Sequence, residues 1–210
     1  MSSALILARR IAQLLVGLVL YGLAIAMMIR AGIGVAPWDV LSQGLAVQTG
    51  LGFGLLTIII GAVVLLLWIP IRQKPGIGTV LNVLLIGPAA DLGLAIIPAQ
   101  TELWLQLTVF AGGLALLAIA TGLYIGARMG PGPRDGLMTG IHARFGVKIW
   151  IVRTAIEVVV LSTGWILGGN VGLGTVAFAV LIGPMVNLTI PLLRVPTALP
   201  RNAKSAVPTN

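Results

Sequence analysis

The chain contains no cysteine and only one histidine, His142. Disulfides, thiolate metal sites, cysteine nucleophiles and His-rich metal clusters are therefore excluded. Charge is scarce too: Asp and Glu together number 5, and charged residues make up 9% of the 210, where a soluble domain carries about a quarter. No Ser, His and Asp constellation and no HExxH motif occurs, so nothing points to hydrolase chemistry and the chain is expected not to be an enzyme. The "GIGT" and "GLGT" turns at Gly76 and Gly172 lack the Lys of a phosphate loop and follow no predicted strand, which argues against nucleotide binding. No cofactor is expected. What the chain has in excess is apolar surface, at 58% hydrophobic residues and a mean hydropathy of +1.09. A water-soluble globule of this size could not bury so much, so lipid is the expected solvent. The net charge of +8 sits in short clusters between apolar runs. That distribution reads as a set of topology signals and not as a nucleic-acid footprint.

A membrane-crossing helix needs roughly 20 mostly apolar residues. Six runs qualify: Ile11 to Ile29, Phe53 to Ile69, Thr79 to Ile97, Leu103 to Ile125, Ile149 to Leu167, and Thr175 to Leu193. Short cytoplasmic loops collect Lys and Arg. With the N-terminus inside, Arg9, Arg10, Arg72, Lys74, Arg128, Arg134, Arg144, Lys148, Arg194, Arg201 and Lys204 all fall inside, and only Arg30 falls outside. Both termini are thus expected in the cytoplasm. The polar segment 195–210 is expected to be a disordered cytoplasmic tail.

The chain repeats itself. At a constant offset of 96 positions, Gly17 matches Gly113, Pro37 matches Pro133, Asp39 matches Asp135, Gly44 matches Gly140 and Gly50 matches Gly146. "GIGTV" from Gly76 falls on "GLGTV" from Gly172, and "LIGP" from Leu85 on "LIGP" from Leu181; roughly 25 of about 81 aligned positions are identical. Self-similarity at a fixed period marks an internal repeat. The first run aligns with the fourth, so it reads as part of the repeated unit and not as a signal peptide. Residues 1–102 form the first repeat and 103–194 the second, each with three spans. An odd number of spans per repeat sends the second copy into the membrane from the opposite side. That is the inverted arrangement of many secondary transporters, whose sites lie between the repeats near mid-membrane.

Between the first and second spans of each repeat stands a Pro and Asp motif, "GVAPWDVL" at Gly34 and "GPGPRDGL" at Gly130. Pro suits a first helical position, Asp a first turn and Gly a helix stop, which predicts short helices over 37–50 and 133–146. At about 21 Å, neither could cross a hydrocarbon core of about 30 Å. Trp38, Leu41 and Leu45 share one face while Asp39, Ser42 and Gln43 lie off it, an amphipathic pattern. The short helices are either interfacial or re-entrant. If re-entrant, their positive N-terminal ends meet and form a polar site containing Pro37, Trp38, Asp39, Pro133, Arg134 and Asp135. Otherwise each Asp only offsets its own helix dipole. Arg30, Arg128 and Arg134 are close enough in sequence to pair with these acids, or they anchor span ends at the interface.

Arg153 and Glu157, four apart in the fifth span, can form an intrahelical ion pair; their counterparts are Thr57 and Gly61. Charges inside a span usually face a cavity or the bundle interior, although Arg153 could instead snorkel to the surface. Asp91, matched by Asn187, is placed to carry a proton or bind a cation unless it reaches water. Gly87-Pro88 and Gly183-Pro184 point to close helix packing and kinks.

The strings "LYG" at Leu20, "GxGxxPWDVLxxGL" from Gly32 to Leu45, "PGIGT" at Pro75, "GLYIGA" at Gly122 and "GPGPRDGLMTGI" at Gly130 resemble the YczE-like group of bacterial integral membrane proteins, related to the YitT-like group. The resemblance covers nearly the whole chain except the tail. It implies a six-span protein of the bacterial cytoplasmic membrane and carries over no functional residues. The expectation is an all-α, polytopic membrane bundle of two inverted three-helix repeats with a central site for a small solute. The rival is a non-transporting scaffold for a biosynthetic or export assembly. The lipid bilayer and a small solute are the expected partners, nucleic acid is not, and a homodimer is compatible with the size.

Overall fold

The computed structural model describes residues 3–195, which form eight α-helices: α1 Ser3–Ala31, α2 Pro37–Thr49, α3 Phe53–Leu66, α4 Ile77–Ile96, α5 Leu103–Gly126, α6 Pro133–Phe145, α7 Ile149–Ile166 and α8 Leu173–Leu193. The tail expected to be disordered lies, but for Val195, outside the described residues.

The duplication extends from sequence into backbone. α2 and α6, α3 and α7, and α4 and α8 begin at the same offset of 96. The described residues with positive φ also fall into pairs at that offset: Gly32 with Arg128, Gly34 with Gly130, Gly50 with Gly146, and Arg72 with Gly168. Gly50 and Gly146 close their short helices in the left-handed conformation, at φ 72° and 71°, and donate to the carbonyls of Ala46 and His142. Glycine accepts this geometry without the Cβ penalty.

α1, α4, α5, α7 and α8 are long and apolar enough to cross a membrane. The second expected span is shorter than the sequence indicated. α3 has 14 residues, about 21 Å of helix, and a 117° bend separates it from α2, and the two meet the length and hydropathy of a span only as a bent pair. The cause is Pro70. Its ring would collide with the carbonyl one turn back, so the chain leaves the helix after Leu66 and turns through Leu67–Arg72. At the equivalent place α7 has Ile166 and continues four residues further.

The two halves pack on each other reciprocally. α1 lies against α5, α1 against α4 as α5 against α8, and α2 against α7 as α6 against α3. Glycines permit the close approaches: a Cβ on Gly17 would sit 2.9 Å from the Cβ of Leu123, one on Gly113 3.0 Å from Met27, and one on Gly44 2.4 Å from the carbonyl oxygen of Gly164. Lipid gives no hydrophobic reward for joining helices, so contact area gained through small residues takes its place.

The same reasoning accounts for the burial pattern of α2. Asp39 and Ser42 are 2% and 0% exposed beside the buried Trp38 and Val40, whereas Leu41 and Leu45 are only half-buried. Ser42 donates to the carbonyl of Trp38 and stands near the Thr57 hydroxyl. In a lipid-facing helix, leucine gains nothing from being turned inward.

The halves differ in one respect. α3 packs along α4, where Gly54 meets Gly87 and a Cβ on Gly87 would lie 2.3 Å from the Gly54 oxygen. Trp150 replaces Gly54 and Glu157 replaces Gly61 in the second half. There, α7 stands away from α8, and a Cβ on Gly183 would meet nothing within 4 Å. A cleft is left between them.

Candidate functional site

Each short helix is positioned by the opposite half. Gly174 N–H, at the start of α8, donates to the Ile33 carbonyl at 2.8 Å, and Gly78 N–H, at the start of α4, donates to the Met129 carbonyl at 2.9 Å. Thr79 Oγ1 adds a bond to the Pro131 carbonyl at 2.7 Å. A Cβ on Gly172 would fall 2.4 Å from the Ile33 oxygen, and one on Gly76 2.5 Å from the Met129 oxygen. The repeated "GIGT" and "GLGT" segments are therefore clasps for the Pro and Asp motifs. Their recurrence was visible in the sequence, but their partners lie more than 50 residues away in the other half.

Held in this way, the motifs meet. Trp38 and Arg134 occupy equivalent positions, and the Arg134 guanidinium carbon lies 4.9 Å from the Trp38 ring centroid, within range of a cation–π contact. Nη2 of Arg134 is 3.7 Å from Asp39 Oδ1, an ion pair longer than a hydrogen bond. That oxygen and Trp38 Nε1 are buried without hydrogen-bond partners among the described residues. Pro37 and Pro133 are buried at the helix starts, and the Pro133 carbonyl accepts from Trp68 Nε1 at 3.0 Å. Asp135 takes a different partner: Tyr124 donates to its Oδ2 at 2.8 Å. Tyr21 stands edge-on to Tyr124, with centroids 5.9 Å apart. Neither tyrosine has a tyrosine at the equivalent position, where Leu117 and Met28 stand, so the repeat gave no signal for them.

Tyr21, Tyr124, Arg134 and Asp135 form a wall between two cavities at equivalent places. On the α3 and α4 side is a small one of about 80 Å³ that includes Thr57, Gly61 and Asn82. On the α7 and α8 side is the cleft, about 250 Å³, with Arg153, Glu157 and Asn187 added. Arg153 Nε donates to Glu157 Oε1 at 2.9 Å, the side chains being 50% and 28% exposed. The cleft presents two cations and two carboxylates together with hydroxyl and amide groups, and its volume suits a small polar solute or several waters.

Two expected site residues lie elsewhere. Asp91 is exposed, and its Oδ1 accepts the backbone N–H of Gly54 at 2.8 Å. The first turn of α3, whose N–H groups have no partner within the helix, draws a carboxylate from the neighbouring helix as its cap. Arg30 donates to the Leu94 carbonyl, while its own carbonyl accepts from Gln100 N–H. It binds the ends of α1 and α4 together, and neither motif acid is its partner.

A family model described as a family of unknown function, DUF6198, matches residues 8–191. An uncharacterized protein of Haemophilus influenzae is 38% identical over 185 residues, covering 88% of this chain and 85% of that protein. The uncharacterized membrane protein YczE of Bacillus subtilis is 33% identical over 177 residues, 83% of this chain and 82% of its own length. YyaS, another uncharacterized protein of Bacillus subtilis, is 26% identical over 182 residues, 85% of this chain and 90% of its own. No solved structure matches. On the extent of these matches, the chain belongs to the DUF6198 family and is similar to YczE along most of its length.

Proposed function

We propose that this integral membrane protein carries a small polar solute through the cleft between α7 and α8, with its two halves inverted across the bilayer of a bacterial cytoplasmic membrane. One observation supports this reading above the rest. Two equivalent cavities share a wall of Tyr21, Tyr124, Arg134 and Asp135; one is about 80 Å³ and the other about 250 Å³, with Arg153 and Glu157 added. Such a pair is what alternating access requires, since rocking one half against the other would exchange them. The reciprocal clasps favour an inverted pair, because each half completes the other through the same contacts. Arg153 and Glu157 would hold opposite ends of a dipolar solute, Asp135 and Tyr124 would orient it, and the Asp39–Arg134 pair would tie the halves together. Catalysis and cofactors have no part in this reading. A scaffold with a dry, fully packed centre fits the charged cleft less well.

The test is a thermal-stabilisation screen of purified protein against polar solutes, followed by uptake of each hit into vesicles. Wild type is expected to gain stability from at least one solute, and Arg153→Gln with Glu157→Gln to lose that gain while staying folded. Glu157→Gln is expected to lower uptake by roughly tenfold, the effect of about 1.4 kcal/mol of lost interaction. Full uptake in both variants would remove the ion pair from the mechanism.

A further inference from the structure

α3 and α7 are equivalent helices, and a crevice of about 550 Å³ lined only by apolar surface lies between them. Ile60 faces Ile156 across it, and Val63 and Val64 face Val159 and Val160. α3 and α7 carry the same residue at four aligned positions, and three of these line the crevice. Its rim is open, with Val63 50% and Val159 64% exposed. At its floor lies Trp38, 6% exposed, which also borders the polar cleft and carries Arg134 against its ring. The contacts of α2 with α7 and of α6 with α3 hold the two helices in place without closing the gap between them.

We propose that this crevice is a resident site for one acyl chain of a membrane lipid, seated between α3 and α7 against Trp38. A polar occupant would lose its hydrogen bonds to water and find none here. A flexible hydrocarbon chain fits the volume and the chemistry, and the surrounding bilayer supplies it at the open rim. The seated chain lies against Trp38, whose ring also carries Arg134, so lipid shape bears on the motif contact. The site stands whether or not the protein transports a solute.

The full-length protein is reconstituted into phosphatidylcholine vesicles with acyl chains either brominated or unmodified. Bromine quenches tryptophan on contact, and the emission lost in Trp38→Phe gives the share due to Trp38. That share is expected to fall by more than half in brominated vesicles, and Val63→Phe with Val159→Phe, which fills the rim, is expected to restore it. An unquenched Trp38 beside quenched Trp104 and Trp150, each 65% exposed, would overturn the site. Equal quenching with and without the paired Phe substitutions would also overturn it, since ordinary surrounding lipid would then be the source. A second readout needs no tryptophan variant. Mass spectrometry of wild type released gently from detergent is expected to show one retained lipid per chain, absent in the paired Phe variant. Bare wild-type protein would contradict the proposal.

Discussion

Asp39 and Asp135 stand at the same position in equivalent helices, three residues into the first turn, yet one is buried and the other exposed. The difference arises one residue earlier, where the first half has Trp38 and the second Arg134. Arg134 reaches across to Asp39 and lies against the Trp38 ring. A double-mutant cycle with Asp39→Asn and Arg134→Gln is expected to give a coupling energy of about 1–3 kcal/mol in thermal or denaturant unfolding. Additive losses would show that the pair is incidental. Tyr124→Phe, which removes the donor to Asp135, is expected to cost about 1.5–3 kcal/mol, the range for hydrogen bonds to charged groups, as read from the same unfolding curves. The acids were legible because duplication marked them, and Arg153 and Glu157 because spacing alone determines an intrahelical pair. Asp91 and Arg30 were not. Their partners are a backbone N–H 37 residues away and a backbone carbonyl 64 residues away, and no pattern of residue types records such contacts.

Helix starts were largely readable, since Pro at the first position and Gly at the end bound both short helices. The amphipathic pattern of α2 left open which residues are buried: Trp38, Asp39 and Ser42 are, and Leu41 and Leu45 only half. The length of α3 also hid behind its hydropathy, which Pro70 cuts short. The "LIGP" segments of α4 and α8 give a direct comparison of the two halves. Gly87→Leu would drive a side chain into the Gly54 backbone and is expected to destabilise by about 3 kcal/mol or more, at the upper end of overpacking costs. Gly183→Leu meets open space and is expected to leave the melting temperature in detergent nearly unchanged while occluding the cleft and reducing uptake. Equal destabilisation by both would mean that α7 and α8 are in fact closed.

For the molecule as a whole, lipid as solvent and the duplication could be argued from composition and offset alone, while the meeting of the two motifs was one of two arrangements left open. The cross-clasps could not be argued in this way, nor could the larger volume of one cavity than of its equivalent. Both depend on which backbone atoms end up within 3 Å of each other across the two halves. Inversion of the halves is the claim on which the shared wall, the exchange of cavities and the placement of the solute all rest. Because the chain has no cysteine, a single one can be introduced and read without background. Lys74→Cys lies in the turn after α3, and Val171→Cys in the corresponding turn after α7. In intact cells, an impermeant maleimide is expected to label Val171→Cys and to reach Lys74→Cys only after the membrane is opened. Labelling of both from the same side would contradict the inverted arrangement.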